Sequence, residues 1–127
     1  KTKGFDANGL FISDGSGLSR SNAVTAENLT KILFVMYSDS LTKLPFTNSL
    51  PIAGVSGSLR TLGKGTPLEN NLNAKSGYST RVRSYAGYMK TKSGKEICLS
   101  LIRNSFNGTA TETKKEMQLI FLKIYDN

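Results

Sequence analysis

Three lysine–serine constellations in this sequence carry residue types suited to acyl transfer or to holding an anion. In Ser40-Leu41-Thr42-Lys43 a hydroxyl and an amine stand three residues apart. On one helical face, an amine of lowered pKa would take the hydroxyl proton and make a nucleophile without histidine. Lys75-Ser76-Gly77 and Lys92-Ser93-Gly94 each put a cation, a hydroxyl and a bare backbone in succession. In an extended chain that trio would hold a carboxylate by charge and hydrogen bond, and the glycine would let a substrate strand approach closely. Context separates the three. Ser40 and Lys43 fall at the tail of a helix just ahead of Pro45 and read as a chance match. Ser93-Gly94 is turn chemistry. Ser105-Phe106-Asn107, a possible companion hydroxyl–amide pair, falls in a loop. Lys75-Ser76-Gly77 remains, a weak motif when taken alone.

Other chemistries drop out by composition. Histidine is absent, so no Ser-His-Asp or Cys-His relay can be assembled from this chain. With one cysteine, Cys98, there is neither an internal disulfide nor a zinc site of the usual nitrogen–sulfur kind. No metal and no cofactor is expected. Gly15-Ser16-Gly17 begins like a dinucleotide fingerprint but has Arg20 where the last glycine belongs. The stretch from Gly57 to Gly63-Lys64-Gly65 imitates a phosphate loop with one residue too many, and Gly54-Val55-Ser56-Gly57-Ser58 lacks the final glycine of a nucleophile elbow. Lys and Arg number 17 against 9 Asp and Glu, a net charge of +8. The cations are scattered, without the aromatic signature of RNA recognition, so they read as solvated charge rather than a nucleic-acid surface. No apolar run nears the ~18 residues that span a bilayer.

The elements that must position Lys75 are these. Residues 1–22 are loop-like. A helix runs near 25–39, with Thr25 as its cap, Glu27 in its first turn, and Leu29, Ile32, Leu33, Met36 and Tyr37 as its apolar stripe. Residues 44–71 read as irregular chain, with one short helix near Phe46–Ile52. Residues 72–104 make an extended run and a hairpin: Leu72, Ala74 and Ser76 alternate with Lys75, Val82 to Met89 follow, and Ser93-Gly94 turns the chain into Glu96–Arg103. Ile97, Leu99 and Leu101 on one side and Cys98, Ser100 and Ile102 on the other predict a strand covered on both faces. A C-terminal helix near 112–126 carries Met117, Ile120, Phe121, Ile124 and Tyr125 behind a Thr113-x-x-Glu116 capping box. This is too little sheet for an independent domain.

The motifs in order are more specific than any one of them. Asp14-Gly15-Ser16-Gly17-Leu18-Ser19-Arg20, followed by Asn22, resembles the first signature of the class C low-molecular-mass penicillin-binding proteins, the D-alanyl-D-alanine carboxypeptidases and endopeptidases of the penicillin-binding protein 4 type. Ser49-Leu50-Pro51-Ile52-Ala53-Gly54-Val55-Ser56-Gly57-Ser58-Leu59 is similar to that family's next segment. Ala74-Lys75-Ser76-Gly77 with Ala86-Gly87-Tyr88 is similar to its Ala-Lys-Thr-Gly strand and the continuation. The match covers nearly the whole chain.

The resemblance implies an α+β fold: the C-terminal portion of a transpeptidase-like domain, antiparallel strands packed with helices, its sheet incomplete over residues 1–127. It implies a serine acyl-transfer enzyme of the bacterial periplasm or cell envelope, acting on peptidoglycan stem peptides and sensitive to β-lactams. Lys75 and Ser76 would bind the terminal carboxylate, the residues after Gly77 would flank the substrate along an edge strand, Arg20 would line the cleft, and Thr80 would stand at a polar cleft position. Tyr78, Arg81 and Arg83 depart from the smaller residues usual there, and Ser76 replaces threonine. The family carries its nucleophile and general base upstream of the first signature, so the chain is expected to need a missing N-terminal part of the same protein. A non-catalytic peptidoglycan-binding module and a basic nucleic-acid-binding domain are the competing readings.

Overall fold

The computed structural model describes residues 7–127. Thr25 begins helix α1 (Ala26–Ser38), its side chain accepting the Asn28 amide, so one otherwise unpaired first-turn donor is satisfied. The chain leaves α1 at Asp39, whose carboxylate takes the Leu41 amide, and starts α2 (Lys43–Ser49). The short helix therefore lies three residues earlier than the expected Phe46–Ile52. Pro45 does not block it, because a proline in the first turn gives up an amide that had no partner there. Pro51 ends it by holding Leu50 extended, at φ −83° and ψ 139°.

Three strands follow, β1 (Leu72–Ser79), β2 (Val82–Lys90) and β3 (Glu96–Asn104), in the antiparallel order β1-β2-β3. Thr80 and Arg81 form the first connection; Gly94, at φ 82°, completes the second. The register pairs Ala74 with Gly87 and Gly87 with Leu99, and pairs Lys75 with Ala86 and Ala86 with Ser100. The two side-chain sets then point to opposite faces. No strand among the described residues pairs with the outer edge of β3, so the sheet is open and three-stranded, in keeping with the expected α+β class and incomplete sheet.

Helix α3 (Ala110–Tyr125) covers one face. Its capping box is Thr109 with Glu112, not Thr113 with Glu116. The sequence holds two consecutive Thr-x-x-Glu matches one turn apart. Burial chooses between them, since Thr113 is inside the helix with its hydroxyl on the Thr109 carbonyl at 3.1 Å. Met117 and Phe121 enter the core, Tyr85 meeting Phe121 edge-on at 5.6 Å, while Ile120, assigned to the buried stripe by its spacing, is exposed.

The 51–71 segment is irregular only in its backbone. Ala53, Leu59, Leu62 and Leu68 are completely buried against Leu72, Ala74 and Met117, each leucine removing enough apolar surface to contribute about 1.5–3 kcal/mol. The loop is thus the second half of the lid over the α3 face. On the other face α1 and α2 bring Leu33, Tyr37, Phe46 and Leu50 onto Ala86, Tyr88 and Cys98. β3 is covered on both sides, as its two apolar registers require.

Candidate functional site: an edge strand presenting Lys75 and Ser76

The loop that ends α2 also shapes the edge of β1. The Ala53 amide donates to the Leu72 carbonyl and the Ala74 amide to the Pro51 carbonyl, both at 2.9 Å. These bonds occupy the Leu72 carbonyl and the Ala74 amide, two outward backbone groups of the first half of β1. By the two-residue period of a strand, the next outward groups belong to Ser76 and Tyr78. The covered edge stops where the Lys75-Ser76-Gly77 motif begins.

Lys75 and Ser76 lean to opposite faces. Lys75 lies on the α1 side, exposed, and its Nζ turns over the edge to donate to the Ser76 carbonyl at 3.1 Å. Ser76 lies on the α3 side, where its hydroxyl donates to Ser58 Oγ at 2.7 Å. Cation and hydroxyl therefore flank one stretch of edge that no strand among the described residues covers. Gly77 has a packing reason to lack a side chain: a β-carbon there would stand 2.5 Å from Ser84 Oγ across the ladder.

The other expected residues are placed as follows. Thr80 is exposed at the tip of the β1–β2 hairpin. Arg20 is exposed in a turn, and no hydrogen bond among the described residues joins it to β1. That turn belongs to a self-closed loop. Phe11 and Ala23 exchange two backbone bonds of 2.8 Å. Asn22 donates to the Asp14 carboxylate at 2.9 Å and accepts the Ser13 amide at 2.7 Å. Asn22 first and Ser16 second hold the Asp14 carboxyl below its ordinary range. The Asp-Gly-Ser-Gly-Leu-Ser-Arg stretch is in this sense a closed shape with Arg20 at its end.

Tyr78, Arg81 and Arg83, which depart from the expected small residues, are partly engaged by the fold. Arg83 donates to the Tyr85 hydroxyl at 2.9 Å and sits 5.3 Å from the centre of the Tyr78 ring, on the α3 side. Arg81 reaches Asn107 Oδ1 at 3.1 Å. Tyr78 and Arg83 thus lie on the face opposite Lys75.

The rejected motifs have structural uses. Ser40 lies in the turn after α1, and Lys43 Nζ rests 3.7 Å from the centre of the Tyr37 ring, so the pair shares no helical face. The Gly63 and Gly65 amides donate to Gln118 Oε1 and to Glu69 Oε2 and are spent within the protein. Gly94 closes its turn on the Thr91 carbonyl at 2.9 Å. Among the described residues no three His, Cys, Asp or Glu gather as a metal site.

The residue that sequence reasoning assigned no role is Ser58. It stands 18 positions before Ser76, and nothing in the intervening sequence brings the two hydroxyls together.

Comparison with known proteins gives this geometry a lineage. Residues 1–123 match the model of the D-Ala-D-Ala carboxypeptidase 3 (S13) family. A D-alanyl-D-alanine carboxypeptidase of Actinomadura sp. is 36% identical over 112 residues, covering 84% of this chain and 20% of that protein. The crystal structure of penicillin binding protein 4 from Haemophilus influenzae superposes with a TM-score of 0.84 at 26% identity, over 98% of this chain and 29% of the other. A second structure of that protein holds a β-lactam. A predatory endopeptidase of Bdellovibrio bacteriovorus shares the fold, with a TM-score of 0.68 at 15% identity. The chain spans about a fifth to a third of the length of these proteins. The family model's match to residues 1–123, on a fold shared over nearly the whole of this chain, places the chain in the D-Ala-D-Ala carboxypeptidase 3 (S13) family.

Proposed function

We propose that this chain is the carboxylate-binding part of a serine D-Ala-D-Ala carboxypeptidase or endopeptidase. The whole protein would act on peptidoglycan stem peptides through an acyl-enzyme, in the bacterial periplasm or cell envelope, and be blocked by β-lactams. The observation that carries this reading is the open edge at Ser76 and Tyr78, bordered by the Lys75 ammonium and the Ser76 hydroxyl.

A peptide laid along that edge pairs its backbone with the outward groups of β1, as an added strand. Its terminal carboxylate takes the Lys75 ammonium, which releases the Ser76 carbonyl, and takes the Ser76 hydroxyl as a second donor. Holding the acid end fixes the scissile bond for a nucleophile supplied from elsewhere in the protein. That nucleophile and its general base belong to the N-terminal part of the same protein, which is the partner this chain needs. Arg20 and Thr80 are substrate-binding residues in this reading, completing the cleft from the closed loop and from the hairpin tip. Nucleic acid has no place in it, and no helix among the described residues is long and apolar enough to cross a membrane.

A fluorescent penicillin tests the proposal. The full-length protein should take a covalent label that an acyl-D-Ala-D-Ala peptide competes away, and the 127-residue chain alone should take none. A full-length protein that binds stem peptides without ever being labelled would be a non-catalytic binding module, and would overturn the reading.

A further inference from the structure

The Ser76 hydroxyl points at another hydroxyl instead of standing free. Its partner, Ser58, sits in the 3-10 turn Gly57–Leu59, and the two oxygens are 2.7 Å apart. That turn is firmly seated. Leu59 is completely buried, the Gly54 amide donates to the Leu59 carbonyl at 3.0 Å, and the Ala53 and Pro51 bonds tie the loop to β1. Gly57, at φ 52°, leaves room for Pro51, which a β-carbon would meet at 3.1 Å. Ser58 is thus a fixed point that holds the Ser76 hydroxyl.

We infer that Ser58 is a positioning residue that sets the Ser76 hydroxyl for an anionic ligand end. The inference rests on the carboxylate-binding reading of β1. As the site stands, Ser76 donates to Ser58. When a carboxylate arrives, the Ser76 proton turns to it, and Ser58 reverses its own hydroxyl to donate to the Ser76 oxygen. Each hydroxyl has one proton and two lone pairs, so the Ser58–Ser76 bond is kept in both arrangements with its direction reversed. In the second, Ser76 is polarised by the bond it accepts and becomes a stronger donor. Ser58 also keeps the Ser76 rotor on the edge side when the site is empty, so binding spends less on ordering it.

The ligand class follows from the geometry. The Ser58–Ser76 chain ends in one donor next to an ammonium, which fits a carboxylate and gives little to a neutral ester of the same shape. The Ser58 contribution should accordingly vanish when the ligand's acid is masked.

The test compares acylation of the full-length protein by a penicillin and by its methyl ester. Ser58→Ala should slow acylation by the free acid about fivefold, the loss of one neutral hydrogen bond, and leave the ester rate unchanged. Ser58→Thr should restore the free-acid rate. On a Ser76→Ala background, Ser58→Ala should add nothing. Equal slowing of acid and ester, or an undiminished effect without Ser76, would overturn the inference and make Ser58 a structural residue only. If Ser76→Ala slows the free acid but Ser58→Ala does not, Ser58 has no positioning role and the carboxylate reading survives. If Lys75→Ala and Ser76→Ala both leave the free-acid rate intact, the carboxylate reading itself fails. Unchanged melting temperatures for the Ser58 variants separate these outcomes from misfolding.

Discussion

Gly87 stands so close to Asn73 that a β-carbon on residue 87 would lie 2.0 Å from the Asn73 carbonyl oxygen and 2.6 Å from Ala74 Cα. Both neighbours are backbone, so neither can move aside without shifting β1. The strand that carries Lys75 keeps its place because residue 87 has no side chain. Gly87→Ala should therefore cost at least about 2–3 kcal/mol in urea denaturation, the upper range for overpacking. The same variant of the full-length protein should lose penicillin binding through β1. A near-neutral substitution would show that the strands are not packed this closely.

The two lysines that precede a Ser-Gly pair should behave differently. In the full-length protein Lys75→Ala should slow penicillin acylation about tenfold to a hundredfold, the loss of one charge-assisted contact to a carboxylate. Lys92 is exposed in the β2–β3 turn, and Lys92→Ala should leave the rate as it was. Equal effects, or none for Lys75, would remove β1 from the site.

Tyr88 ties α1 to the sheet by donating to the Leu33 carbonyl at 2.8 Å. Burial first, and the neighbouring Cys98 second, push its hydroxyl up from 10.0 to about 12. The folded state holds this proton more tightly than the unfolded chain, so its contribution is whole below pH 10 and is lost as pH rises toward 12. Tyr88→Phe should cost about 1 kcal/mol at neutral pH and should flatten the alkaline fall in melting temperature. Parallel alkaline profiles for the two proteins would argue against it.

The two consecutive Thr-x-x-Glu matches make a direct test of where α3 begins. Thr109→Ala should cost about 1 kcal/mol by removing the cap, and Glu112→Gln should remove the acid pH dependence of that cap. The Glu112 carboxyl is held below its ordinary value chiefly by the Thr109 amide and then by its hydroxyl. Its stabilising effect is therefore present above pH 4.5 and fades as pH falls below that value. Glu116→Gln should have no such effect. Acid melts of the three variants decide the point.

The sequence by itself determined what is written in neighbouring residues. Thr25 caps α1 because a hydroxyl three residues ahead of an amide meets it in a helix. Ser93-Gly94 turns the chain because glycine accepts a positive φ. The alternation of Leu72, Ala74 and Ser76 with Lys75 marked a strand with the lysine on the face opposite them, and the order of the motifs indicated the family. Tertiary structure decided what depends on distant partners. Spacing made Ile120 and Thr113-Glu116 look right, and only the depth at which α3 packs exposed the first and moved the cap by a turn. Gly- and Pro-rich sequence marked 44–71 as irregular, yet Leu59, Leu62 and Leu68 close the core, because burial depends on where a loop is tied and not on its backbone regularity. The meeting of Ser58 with Ser76 is of the same kind: two hydroxyls 18 residues apart become neighbours when residues 51–53 bond to the edge of β1, a pairing with no signature in either segment alone.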